Sequence, residues 1–107
     1  MIEAFLAWYL PEVDIDGDPK TLPVTLAPAN AADLSGLPPA YIGTAEHDPL
    51  RDDGARYAEL LNAAGVPVEL SNEPTMVHAY ASFAMVIPAA AEATERGLRA
   101  LRKALHP

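Results

Sequence analysis

The sequence predicts an α/β fold, with β-α-β-α order over residues 40–107, from three features. A short uncharged run, Ala40 to Ala45 (AYIGTA), has the composition of a strand covered on both faces in a parallel sheet. A segment with helical apolar spacing follows, and after it a second apolar run, Val66 to Leu70 (VPVEL). Strand, helix and strand within about 30 residues make a βαβ unit, whose crossover is right-handed in nearly all sheets.

Residues 1–10 read as a short helix, with Ile2, Phe5, Leu6 and Tyr9 at helical spacing and Pro11 as its stop. So short a one-sided helix needs something to pack on. Residues 11–39 form a proline-rich connection without a sustained period. Six of the eleven prolines lie between Pro11 and Pro39, and Asp14, Asp16, Gly17, Asp18 and Pro19 make an acidic turn. A stretch of this kind is usually functional or joins the domain to something else. The next helix is expected over 50–64. Leu50, Tyr57, Ala58 and Leu61 share a face, Asp52 is placed to cap the start, and Gly65 is placed to end it. Pro67 must open the second strand or sit on an unpaired edge. Pro88 suits the first turn of the final helix, Leu98, Leu101 and Leu105 form its apolar stripe, and Arg99, Arg102 and Lys103 complement its carboxyl end.

Composition narrows the function classes. The chain has 107 residues, 50% hydrophobic and 21% charged, which is one ordinary domain and too apolar to be disordered. Its apolar runs are short and broken by proline, so no transmembrane segment is expected, and no export signal opens it. The absence of cysteine excludes disulfides, thiolate metal sites and a thiol nucleophile, and is compatible with a reducing cytoplasm. A formal net charge of -8 argues against nucleic acid as a partner. The charge is uneven: residues 1–50 hold eight acids and only Lys20, whereas residues 51–107 hold seven acids and six bases.

Reactive groups of α/β proteins sit beyond the carboxyl ends of parallel strands. Asp48 follows the first predicted strand and His78 the second, so an Asp–His contact is geometrically plausible. A carboxylate on one imidazole nitrogen fixes the tautomer and leaves the other nitrogen to act as a general base. Taken alone, an Asp before proline is more often a turn or capping residue, and a histidine beside Met76, Val77 and Tyr80 is more often packed. His47 could join Asp48 and His78 around a metal, but no metal-binding spacing supports this, and neither metal nor cofactor is expected. The run Asp14-Ile-Asp-Gly-Asp opens like a calcium loop, but Thr25 occupies the position that needs a bidentate glutamate.

The run Leu37-Pro-Pro-Ala-Tyr-Ile-Gly-Thr-Ala-Glu-His-Asp-Pro-Leu-Arg-Asp-Asp-Gly resembles the carboxyl-terminal part of the hormone-sensitive-lipase-like esterases and lipases, a branch of the α/β-hydrolase fold. The likeness continues through Tyr57-Ala-Glu-Leu-Leu-Asn-Ala-Ala-Gly-Val-Pro-Val-Glu and Met76-Val-His, and reaches back to Phe5-Leu-Ala-Trp-Tyr-Leu-Pro. It implies a partial α/β-hydrolase fold and a serine carboxylesterase or lipase activity, with Asp48 the acid and His78 the base of a Ser-His-Asp triad. Where the family has His-Gly-Phe, this chain has His78-Ala79-Tyr80, and Ala79 would crowd a loop that needs positive φ. The family's G-x-S-x-G elbow and His-Gly-Gly-Gly-type oxyanion loop are both absent, and Ser35, Ser71 and Ser82 lack the elbow context.

Two expectations follow. In one, the chain is the carboxyl-terminal segment of an ester hydrolase, inactive alone, whose serine and oxyanion donors lie on an amino-terminal stretch; ester substrate then binds only with that stretch. In the other, it is a catalytically inactive remnant that acts by association. Either way, an unpaired strand edge and apolar patches predict a homo-oligomer, formed in one variant by strand exchange.

Overall fold

The computed structural model describes residues 8–14 and 16–107, in two compact units, Met1–Asp33 and Leu34–Pro107. The helix predicted over 1–10 lies largely outside the described residues; Trp8 and Tyr9, which are described, are helical.

Within the first unit the proline-rich stretch has defined turns. Pro19–Thr21 and Pro28–Asn30 each make one turn of 3-10 helix, with proline at the start supplying the required φ. The Asp18 carboxylate accepts the Lys20 N–H at 3.0 Å. The Asn30 side-chain amide donates to the carbonyls of Pro19 at 2.8 Å and Leu22 at 3.0 Å, tying the second turn to the first.

The second unit has the predicted order. Strand β1 (Ala40–His47) pairs in parallel with β2 (Val68–Val77). Helix α1 (Arg51–Ala63) connects them, and α2 (Pro88–Leu105) follows a 3-10 turn over Tyr80–Phe83. Gly65, at φ +80°, ends α1 as predicted. Its N–H bonds to the Asn62 carbonyl and that of Val66 to the Leu61 carbonyl, both at 3.0 Å, which closes the last turn. Pro67 sits just before β2 and contributes only its carbonyl, which accepts the Ala40 N–H at 2.9 Å.

Three expectations need correction. Asp52 does not cap α1; it lies in the first turn and receives a bond from Arg51 Nε at 3.0 Å. The second strand starts at Val68 rather than Val66 and runs to Val77, through a Ser-Asn-Glu-Pro sequence that reads locally as a turn. It can do so because the ladder breaks there. Pairing holds to Ala45↔Glu73 and resumes at His47↔Val77, and Pro74, which has no N–H to donate, falls in the interruption. The Leu98, Leu101 and Leu105 stripe is exposed, and the buried residues of α2 are Ala90 and Ala93.

Alternating strand residues direct one helix to each face of the sheet. On the face of Ile42 and Thr44 lies α1, so near that a Cβ on Gly54 would come within 2.6 Å of Thr44 Cγ2. On the other face Ala45, Met76 and Ala90 form a small core with Tyr80 against it, and Gly97 brings α2 close to the Tyr41 ring.

On that same face Glu73 is 4% exposed. Arg96 of α2 donates to it through Nε and Nη2, and Ser71 Oγ donates at 2.7 Å. Burial pushes its pKa up, but these donors outweigh burial and hold it below the ordinary glutamate value. A lowered folded-state pKa contributes stability that is complete above the unfolded value and lost as pH falls through the folded one. Glu73→Gln is therefore expected to destabilise by about 1–2 kcal/mol at neutral pH. In urea unfolding the gap between variant and parent should close as pH drops below the glutamate range.

Candidate active site

The parallel pairing carries both predicted site residues to one edge of the sheet. Asp48 is the first residue past β1, and His78 the first past β2. His78 Nδ1 lies 2.9 Å from Asp48 Oδ2. The other carboxylate oxygen, Oδ1, accepts the Leu50 N–H at 2.9 Å, and the Asp48 carbonyl accepts the Arg51 N–H at 3.1 Å. Asp48 is thus both a turn residue and the partner of His78, using a different oxygen for each.

The Asp48 pKa is lowered, chiefly by the Leu50 N–H and also by the His78 bond, against the upward push of burial. An ionised carboxylate can only accept, so His78 Nδ1 carries the proton and Nε2 is the nitrogen left for a reacting group. The Asp48 side chain is 12% exposed and that of His78 66%, which places an enclosed acid behind an accessible imidazole.

The loop after His78 contains the strain that its sequence suggested. Ala79 adopts φ 60° and ψ 30° and is the one non-glycine with positive φ among the described residues. The Ala79 carbonyl accepts the Ser82 N–H at 3.0 Å, opening the 3-10 turn.

Of the other candidates, His47 ends β1 with its side chain exposed, and no group of three or more possible metal ligands gathers among the described residues. Ser71 Oγ is committed to Glu73, and Ser82 lies within the 3-10 turn rather than on a strand-to-helix elbow. Sequence reasoning missed a second set of groups behind Asp48. Glu46 accepts from Arg51 Nη1 at 2.8 Å and from Asn72 Nδ2 at 2.6 Å, and Asn72 Oδ1 accepts from Thr44 Oγ1 at 2.9 Å. The Asn72 and Arg51 contacts together lower the Glu46 pKa. The available signal was the strand register, which sets Thr44 opposite Asn72.

Comparison with known proteins identifies the family. The family profile described as alpha/beta hydrolase fold matches residues 1–82. The chain belongs to that family, in its hormone-sensitive-lipase-like branch. Carboxylesterase NlhH of Mycobacterium tuberculosis (strain CDC 1551 / Oshkosh) is 76% identical over 106 residues, covering 99% of this chain and 33% of that protein. Esterase LipI of Mycobacterium tuberculosis (strain ATCC 25618 / H37Rv) is 56% identical over 105 residues, 98% of this chain and 32% of its own length. Among solved structures, that of DphMB1 superposes with a TM-score of 0.87 at 48% identity, covering 96% of this chain and 33% of that one. The chain thus spans about a third of the length of the curated relatives it matches.

Relief of the Ala79 strain is measurable. Ala79→Gly should stabilise the chain by about 0.5–1 kcal/mol, the left-handed penalty less the entropy glycine loses on folding. A urea midpoint that falls instead would mean the alanine methyl makes a compensating contact.

Proposed function

We propose that this α/β-hydrolase chain supplies the acid and base of a serine carboxylesterase or lipase. The observation that carries this reading is the 2.9 Å contact of Asp48 Oδ2 with His78 Nδ1 beyond adjacent parallel strands. The names of the relatives, carboxylesterase and esterase, support the substrate class. His78 Nε2 takes the proton of a serine hydroxyl as its oxygen attacks the ester carbonyl, and Asp48 stabilises the imidazolium that results. The imidazolium then protonates the departing alcohol, leaving an acyl-serine. Water repeats the sequence, its proton going to Nε2, and the carboxylic acid is released. No cofactor takes part. This sequence has no G-x-S-x-G, so the serine and the oxyanion donors come from polypeptide outside it.

The chain alone is expected to show no turnover of a short-chain p-nitrophenyl ester. A chimera in which it replaces the matching 106 residues of carboxylesterase NlhH should be active. In that chimera His78→Ala should lower kcat by about 10⁶ and Asp48→Asn by about 10⁴, the losses seen when a triad base or acid is removed. Undiminished turnover by His78→Ala would refute the assignment.

A second reading, an inactive module acting by association, is favoured by one observation: Leu98, Leu101 and Leu105 are 50%, 55% and 66% exposed along one stripe of α2. Apolar rows of this kind, with unpaired strand edges, suit a second copy of the chain, by docking or strand exchange. Light scattering at micromolar concentration should then give at least twice the 11.4 kDa chain mass, and a monomer mass would remove this reading.

A further inference from the structure

We infer that Glu46 is a positioning residue, the node that holds the Asp48 turn and the strand leading to His78 in fixed relation where the backbone ladder between them lapses. The inference rests on the acid–base reading of Asp48 and His78. Between Ala45↔Glu73 and His47↔Val77, β1 advances by two residues and β2 by four. Backbone pairing is therefore interrupted over Glu46 and over residues 74–76 and resumes only at the single pair His47↔Val77 that adjoins Asp48 and His78.

Two ties meet on its carboxylate. Oε2 accepts from Asn72 Nδ2 at 2.6 Å, which joins it to β2 on the near side of the break. The Asn72 amide is itself oriented, because its Oδ1 takes the Thr44 hydroxyl at 2.9 Å and its NH2 group must then face Glu46. Oε1 accepts from Arg51 Nη1 at 2.8 Å. The Arg51 backbone N–H bonds to the Asp48 carbonyl at 3.1 Å, so the Glu46–Arg51 pair spans the turn that presents Asp48. Glu46 and Arg51 side chains are each 38% exposed, and pairs in such settings contribute little to stability. What this pair supplies is geometry.

The test reads the His78 tautomer in the 15N-labelled chain, from two-bond 1H–15N correlations at a pH where the ring is neutral. In the parent chain the Asp48 bond should hold the Nδ1–H form in excess. In Glu46→Ala the ratio of Nδ1–H to Nε2–H forms should fall about threefold or more, the share that a hydrogen bond of ordinary net strength controls. Asn72→Ala should lower it less, since the Arg51 tie survives, and Glu46→Gln, whose amide has one acceptor oxygen and so keeps one tie, should likewise give a ratio between those of the parent and Glu46→Ala. Far-UV dichroism reports whether each variant is folded. An unchanged ratio in folded Glu46→Ala overturns the inference, as does unfolding of both alanine variants, because the group would then be holding the domain rather than the pair. No Nδ1–H excess in the parent chain would instead strike at the acid–base reading itself.

Discussion

The candidate site depends on the parallel pairing of β1 with β2. Two strands running the same way end at one edge, so Asp48 and His78, 30 positions apart, meet at 2.9 Å. Antiparallel pairing of the same segments would send them to opposite ends of the sheet. Parallel pairing requires a crossover, and α1 supplies it, with Ala58 and Leu61 buried and a glycine stop that releases the chain into β2. The close seat of Gly54 over Thr44 belongs to the same requirement, because a helix lying nearer the sheet keeps the connection short.

Asp48 and His78 are held by different means. Asp48 has both carboxylate oxygens and its carbonyl engaged, all by groups within three residues or by His78. Its charge is stabilised mainly by a backbone N–H, which no side-chain motion can withdraw. His78 is anchored through one nitrogen and is largely exposed. The left-handed Ala79 then turns the chain away at once into the Tyr80–Phe83 turn. Such a conformation persists only where its surroundings over-determine it. Here the neighbours are the Asp48 bond on one side and the packing of Tyr80 against Ala45, Met76 and Ala90 on the other.

How much of this was legible in the sequence follows from how local each determinant is. The β1 segment, the Gly65 stop, the Pro88 start and the candidacy of Asp48 and His78 were legible, because each is written within a few residues. The extent of β2 was not. Ser71-Asn-Glu-Pro reads as a turn, and only the partner strand, with Ala45 opposite Glu73, makes it a strand. Nothing local marks Glu73 as buried, and its burial depends on Arg96, 23 residues later. The leucine stripe of α2 was misjudged because helical spacing reports which residues share a face and not which face meets the sheet. Against a sheet carrying Tyr41, the small surface of Ala90, Ala93 and Gly97 gives the closer approach.

Two polar clusters flank the break in the ladder, one on each face of the sheet. Thr44, Asn72, Glu46 and Arg51 lie on the α1 side; Ser71, Glu73 and Arg96 lie on the α2 side. The break explains why polar groups belong there. A bulge that takes in proline leaves ladder donors and acceptors without their usual partners, and the edge is too open for apolar packing to fix two loops by exclusion of water. Directional bonds between side chains supply what the missing ladder does not. On the α2 side Glu73 is buried, and its bonds from Ser71 and Arg96 contribute to stability; on the α1 side both Glu46 and Arg51 are partly exposed, and their pair contributes little to it. On the proposed reading the candidate site can be altered without unfolding its scaffold, because the polar groups beside Asp48 and His78 are not those that form the core.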